Sequence, residues 1–403
     1  MHPLMIQRRE RDMNVKTVPM NRKLWTPWFT FGVCVIAAGL LVTLFRLIRG
    51  LGAVTNLSDG FPWGIWIAFD VVAGIALAAG GFTTAALVYV FNRGKYSPLV
   101  RPAVLTAMLG YLIATFSITM DVGRWWQVYN PALPANWQGN SPLFEVSLCV
   151  MTYSTILVLE FLPGVLEKWQ QTGFLKSAAA KVSPILNRVL FFLIILGVVV
   201  STLHQSSLGS VALVAAYRIH PLWWSPWLPL MFLVSAIAVG FPVVIVESWI
   251  SARAFKHRVD VGLLSDLAKI TPWILGFYIL LKAYALMSAG KVGLLFGSWW
   301  GVVWIVENLL FAVIPFVMLL RPAVRGSLKG LLTASIMMIV GIVLNRLDTY
   351  ILTYTPRPGF NYFPSVGELI ITGMMVSLLF VGYKVLANTF PVLPSAVPAQ
   401  GGK

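Results

Sequence analysis

The sequence predicts an all-α polytopic integral membrane protein of about ten transmembrane helices, with both termini cytoplasmic. Three observations carry this. Of 403 residues, 58% are hydrophobic and only 11% charged, against about 25% charged in soluble domains. The apolar residues fall in long unbroken runs. The basic residues alternate between sparse and dense connectors.

The runs lie at about 27–49, 62–91, 102–121, 142–165, 187–216, 227–250, 270–290, 299–320, 330–351 and 366–387. Each reaches the roughly 20 residues that an α-helix needs to cross the hydrocarbon core. Lipid offers the backbone no hydrogen bonds, so a span must be a helix or part of a closed barrel. These runs are too long and too continuous for barrel strands of about ten alternating residues. The remainder divides into a cytoplasmic arm (1–26) and a tail (391–403) expected to be disordered, flanking a membrane domain (27–390).

Orientation follows from Lys and Arg. Six lie in the N-terminal arm: Arg8, Arg9, Arg11, Lys16, Arg22 and Lys23. The even-numbered connectors are also dense, holding for example Arg93, Lys95 and Arg101, or Arg253, Lys256, Arg258 and Lys269. The odd-numbered connectors hold Arg46, Arg49, Arg124, Arg218, Lys291 and Arg357. Roughly 20 charges against 6 place both ends inside by the positive-inside rule. The net charge of +16 is therefore topogenic and lipid-facing rather than a nucleic-acid footprint. Trp25, Trp28, Trp63, Trp125, Trp126, Trp223, Trp224, Trp227, Trp299 and Trp300 cluster at run ends, as interfacial anchors do. The outer connectors are rich in Gly, Pro and aromatic residues. They suit ordered packing and a docked partner equally well.

Two cysteines, Cys34 and Cys149, cannot supply the four thiolates of an iron–sulfur cluster. Of four histidines, only His204 lies inside a run. A bis-histidine haem b thus lacks its second ligand, unless Met or a partner chain supplies one. The sequence shows no metal site, and electrons must come from a partner.

Ionisable groups inside a bilayer cost about 2.5–3.5 kcal/mol each on insertion scales, so each needs a reason. Near the outer face fall Asp121, Arg124, Glu145, Arg346, Asp348 and Glu368. Asp70 and His204 fall deeper. Glu160 and Glu247 fall in the inner half, with Tyr111, Lys282, Glu307 and Asn345 also inside runs. Asp121–Arg124 and Arg346–Asp348 are close enough in sequence to neutralise each other. Glu145 and Glu160 are about 22 Å apart along one helix, on roughly one side. With Tyr111 and Glu247 they trace a proton route from the inner side to an outer-half site. His204, followed by Gln205, Ser206 and Ser207, suits hydrogen bonding to a ligand carbonyl and proton transfer.

At these residues the chain resembles the polysulfide reductase/NrfD family, in particular its hydrogenase-2 branch. The matching stretches include Gly60–Asp70 (GFPWGIWIAFD), Tyr89–Ala103 (YVFNRGKYSPLVRPA), Ile118–Trp126 (ITMDVGRWW), Ser141–Glu145 (SPLFE), Leu203–Ser210 (LHQSSLGS), His220–Trp223 (HPLW) and Tyr362–Glu368. They cover most of the chain from about residue 50 to 370, leaving out the arm and the tail. The resemblance implies a multi-pass subunit of the bacterial inner membrane that binds menaquinone in the outer half. It implies electrons from a periplasmic iron–sulfur subunit joined to hydrogenase large and small subunits. It points to Tyr111, Glu145 and Glu247 on the proton path, and to His204, Asp121 and Arg124 near the quinone; Asp70 lies in the matching GFPWGIWIAFD stretch. An ion or solute transporter using the same carboxylates, and a passive anchor, are the competing readings.

Overall fold

The computed structural model describes residues 17–171 and 175–394. Among them are ten helices long and apolar enough to cross a membrane: α1 Pro27–Arg49, α2 Trp66–Val90, α3 Gly94–Asp121, α4 Pro142–Gln171, α5 Lys176–Leu213, α6 Leu228–Phe255, α7 Val261–Ser288, α8 Trp299–Leu320, α9 Leu328–Leu352 and α10 Val366–Thr389. The protein is a multi-pass integral membrane protein. Helix starts follow local chemistry. The Thr26 hydroxyl accepts from Phe29 N–H ahead of Pro27 in the first turn, a favoured N-terminus. A capping box of Ser365 and Glu368 opens α10.

Helices α2–α5 pack consecutively, and α6–α9 form a second group. The groups meet where α2 crosses α6. There, a Cβ on Gly80 would stand 3.0 Å from Gly240 O, so the two backbones approach as small residues allow in membranes. Helices α1 and α10 pair along their length, and α10 packs against α3.

The first and last described residues meet on one surface, called here the terminal face. Strand β1 (Thr17–Val18) pairs antiparallel with β2 (Leu393–Pro394), Thr17 opposite Pro394. Residues 391–394, expected within a disordered tail, are instead anchored: Val392 and Leu393 are buried in the core. An apolar Val-Leu pair followed by backbone pairing explains the difference. The expected arm 1–16 and tail 395–403 lie outside the described residues.

Connectors on the opposite face are tightly tied. Ile219 bridges Tyr354, and Lys291 Nζ donates to Pro221 O (2.9 Å) and Trp224 O (2.8 Å). Burial lowers the Lys291 pKa. Burial, then the neighbouring Lys291 charge, lowers that of His220.

Four expectations need correction. Trp223 is 2% exposed and donates to Glu307 Oε2 at 2.6 Å, so it is no lipid anchor. Arg346 does not pair with Asp348. Residues two apart on a helix face different ways, and the guanidinium instead reaches Asn345 Oδ1 (2.7 Å) and Ser235 Oγ (2.8 Å) over the Phe232 ring. Arg124 does not neutralise Asp121. The helix stops at Asp121, Val122 is extended, and Arg124 is exposed. Arg46, counted above as a connector charge, is fully buried and faces Asp121.

Candidate functional site

The expected site residues separate into four places along the membrane normal. The mid-membrane group is the most enclosed. Tyr111 of α3, Tyr153 of α4, and Ser201 and His204 of α5 are all buried. Tyr111 Oη and Ser201 Oγ are 3.4 Å apart, and the Tyr153 hydroxyl also faces Ser201. The Tyr111 ring meets Tyr153 edge-on at 4.5 Å and His204 at 5.5 Å between centroids. Ser201 and His204 are three residues apart, so one helix face presents both.

His204 stands out because both ring nitrogens are buried without a hydrogen-bond partner. Its neighbour Gln205 donates Nε2–H to Ile75 O at 2.9 Å, but its Oε1 is likewise unpartnered. Native folds leave few such groups, and each calls for an explanation.

Toward the terminal face, Glu160 borders a cavity of about 100 Å³ that Tyr89, Arg101 and Val392 also line. That is enough space for water. Arg101 closes its rim, donating to Thr17 Oγ1 (2.7 Å), Glu167 Oε2 (2.9 Å) and Pro391 O (2.9 Å). It thereby fastens Thr17 and Pro391 beside the cavity. At its deep end, a Cβ on Gly197 would stand 3.0 Å from Glu160 Oε1 and 3.2 Å from Tyr153 Cε2. Glu160 thus adjoins Tyr153, and a line of protonatable groups runs from cavity to His204: Glu160, Tyr153, Ser201, Tyr111. Glu247 of α6 also lies in this half, both carboxyl oxygens buried and unpartnered.

Toward the opposite face, Asp70 Oδ2 accepts from Thr372 Oγ1 of α10 at 2.9 Å. Asp121 ends α3, with Oδ1 buried and unpartnered. Arg46 crosses from α1 and donates to Met120 O (2.9 Å) and Val122 O (2.6 Å), satisfying carbonyls that a helix end leaves open. Glu368 is fully engaged, accepting from Tyr362 Oη (2.7 Å), Asn56 N–H (3.1 Å) and Ser365 N–H (2.9 Å). The Tyr362 pKa is raised, first by burial and then by that bond to Glu368. At the rim, Glu145 and Arg124 are both exposed, apart from the His204 group.

Sequence reading missed Tyr153, Ser201, Thr372 and Arg46. The first three are uncharged and escape a search for ionisable residues. Their signal was spacing: Ser201 stands one turn before His204. Wide i+5 helical turns also escaped notice. Among the described residues such turns contain or adjoin Asp70 (Trp66–Ala73), Glu307 (Leu309–Val313) and Asp348 (Asp348–Leu352), and wide turns often mark functional positions.

Ten apolar spans enclosing buried ionisable side chains define a polytopic integral membrane protein. The chain belongs to the polysulphide reductase NrfD family, which matches residues 53–355. It is 37% identical to the probable Ni/Fe-hydrogenase 2 b-type cytochrome subunit of Escherichia coli K12, over 93% of this chain and 95% of that protein. It is 29% identical to the menaquinone reductase integral membrane subunit of Nitratidesulfovibrio vulgaris, over 81% and 80%. An Hdr-like menaquinol oxidoreductase integral membrane subunit of Archaeoglobus fulgidus is 25% identical over 83% and 87%.

The E. coli relative is named a b-type cytochrome subunit, and cytochromes hold haem through axial side-chain ligands. Among the described residues, His204 is the histidine within a span, and Tyr111 packs on its ring. His220 and His257 lie in connectors on opposite faces. These residues do not form a bis-histidine haem site. No group of three or more His, Cys, Asp or Glu among the described residues is placed to hold a metal ion.

Proposed function

We propose that the chain is the quinone-reactive membrane subunit of an oxidoreductase complex in the bacterial cytoplasmic membrane. It passes electrons from an iron–sulfur partner to menaquinone, as part of a nickel–iron hydrogenase of the hydrogenase-2 type. The terminal face is cytoplasmic in this reading, and the iron–sulfur and hydrogenase subunits dock on the opposite, periplasmic face. The single observation that carries it is His204, enclosed at mid-membrane with both nitrogens unpartnered and joined to the Glu160 cavity by a line of hydroxyls. The names of the menaquinone-linked relatives agree with it.

Quinone reduction consumes two electrons and two protons. The protein's task is to hold two carbonyls and deliver protons to them. His204 donates to one carbonyl and supplies its proton. Asp70 and Asp121 line the approach from the periplasmic side, with Arg124 and Glu145 at its rim. Tyr111 and Glu160 reload His204 from the cytoplasmic cavity, and Glu247 serves as a further proton store. The exposed aromatics Trp126, Tyr129, Trp137 and Phe363 suit a docked partner.

The test is His204→Gln and Glu145→Gln in the assembled complex. Loss of quinone-linked electron transfer with assembly intact supports the reading. Normal turnover in both variants refutes it and favours a passive anchor.

A further inference from the structure

The connector after α6 presents a second group of protonatable side chains that leads to Glu247 and has no part in the Glu160 line. Helix α6 ends on Lys256, which adopts the left-handed conformation (φ 57°). This turns the chain back, with His257 N–H donating to Ala252 O at 3.1 Å in a common helix termination. The turn sets the His257 ring against the last turns of α6. There Nε2 lies 3.2 Å from Ser251 Oγ and Nδ1 lies 3.1 Å from Arg258 O.

Those two partners assign the tautomer. Arg258 O can only accept, so Nδ1 carries the hydrogen and Nε2 accepts a hydrogen bond from the Ser251 hydroxyl. Ser251 is 3% exposed. Its orientation is not the default for a helical serine. Ser248, on the same helix, bonds back to Val244 O at 2.7 Å, as helical serines do, whereas Ser251 turns to the histidine. One turn deeper on the same face is Glu247. Tyr383 of α10 adjoins both Ser251 and Glu247, and Thr106 of α3 adjoins Glu247 from the other side. The Tyr383 hydroxyl and both Glu247 oxygens are buried with no hydrogen-bond partner. Thr106 lies five residues before Tyr111 on α3, about 7–8 Å toward the terminal face. Glu247 is thus one further step from the mid-membrane group.

We propose that His257, Ser251 and Tyr383 form a second proton entry on the terminal face, delivering protons from water to Glu247. The Ser251 hydroxyl first turns from Nε2 toward Tyr383, a proton from water then binds the freed Nε2, and it passes to Ser251 Oγ while the serine's own hydrogen moves on to Tyr383. The Tyr383 hydrogen moves to the Glu247 carboxylate. One proton leaves the aqueous side, one arrives on Glu247, and both hydroxyls are regenerated when they rotate back. His257 is half-buried, open to water on one side and bonded to the buried serine on the other. The charged groups around it are Arg253, Lys256, Arg258 and Asp260 on its own connector, with Lys95, Asp266 and Lys269 nearby. The last three are ion-paired together at 3.0 and 2.5 Å.

The proposal rests on the quinone-reactive reading, and the experiment separates the two. The complex, purified through this chain and placed in liposomes, is driven with reduced methyl viologen through its partner subunits. Quinone reduction and proton uptake from the terminal-face side are followed together. His257→Ala is expected to slow both about tenfold, less than the ~10²-fold typical of losing a positioned proton donor, because the Glu160 entry remains. Added imidazole is expected to restore His257→Ala but not Ser251→Ala or Tyr383→Phe, whose missing hydroxyls it cannot replace. Wild-type rates in His257→Ala, or a slowed rate that imidazole leaves unchanged, overturn the relay while quinone chemistry stands. A wild-type complex that reduces no quinone overturns the quinone reading and the relay with it.

Discussion

Replacing Tyr111 with phenylalanine removes one oxygen and almost no volume. Tyr111 is fully buried, and its hydroxyl meets Ser201 Oγ at 3.4 Å, a long contact for two hydroxyls. Ser201 sits in a helix and can bond back to a carbonyl of the preceding turn when Tyr111 is lost. The stability cost is therefore about 1 kcal/mol or less, the net worth of one neutral hydrogen bond. The kinetic cost should be far larger. If Tyr111 hands protons to His204, losing it removes a positioned proton donor worth about 10²–10⁴ in rate, which converts to roughly 3–5 kcal/mol of barrier. The assay measures two quantities on one preparation: thermal unfolding of the detergent-solubilised complex, and quinone reduction at saturating donor. Near-wild-type unfolding with at least a hundredfold slower reduction is the expected outcome. A Tyr111→Phe variant that reduces quinone at the wild-type rate rules out Tyr111 as a proton donor, as does one whose activity loss merely follows unfolding.

Two further predictions follow from buried charge and from pH. Arg46→Met strips two charge-assisted bonds from the end of α3 and leaves Asp121 facing no cation, so it should destabilise by about 3–5 kcal/mol. Adding Asp121→Asn should recover part of the loss, and a measured loss under about 1 kcal/mol contradicts this role. His220 has a folded pKa below its ordinary 6.5, so the unfolded chain binds the extra proton. Its contribution to stability is complete above pH 6.5 and falls away as pH drops through the lower folded value. Hydrogen exchange in the 217–227 connector should rise below about pH 6 in wild type and lose that dependence in His220→Gln.

Depth was legible in the sequence and facing was not. Each of the ten runs overlaps an observed span because bilayer thickness fixes how long an apolar stretch must be. Ends were less legible where helix continues past the lipid: α3 starts at Gly94 rather than 102 and α5 at Lys176 rather than 187. The 176–187 segment is rich in Ala and Lys, which sustain a helix without being apolar. Charge pairing was assigned by closeness in sequence, and it failed at Asp121 and Arg346. Arg46, which faces Asp121, and Ser235, which binds Arg346, both lie on helices distant in sequence, and rotation about a helix axis is set by packing between spans. His204 was legible because a lone histidine in an apolar run is conspicuous. Tyr153 and Ser201 were not, since polar uncharged residues are common on packed membrane helices. Their role rests on standing between Glu160 and Tyr111.

In the proposed function His204 meets the quinone, and a structure of the intact complex with menaquinone bound shows whether it does. The expected result is a quinone carbonyl at about 2.7–3.2 Å from a His204 ring nitrogen, with Tyr111 still on the far side of the ring. A quinone bound elsewhere, leaving both His204 nitrogens without contact to it, would rule out that role for His204.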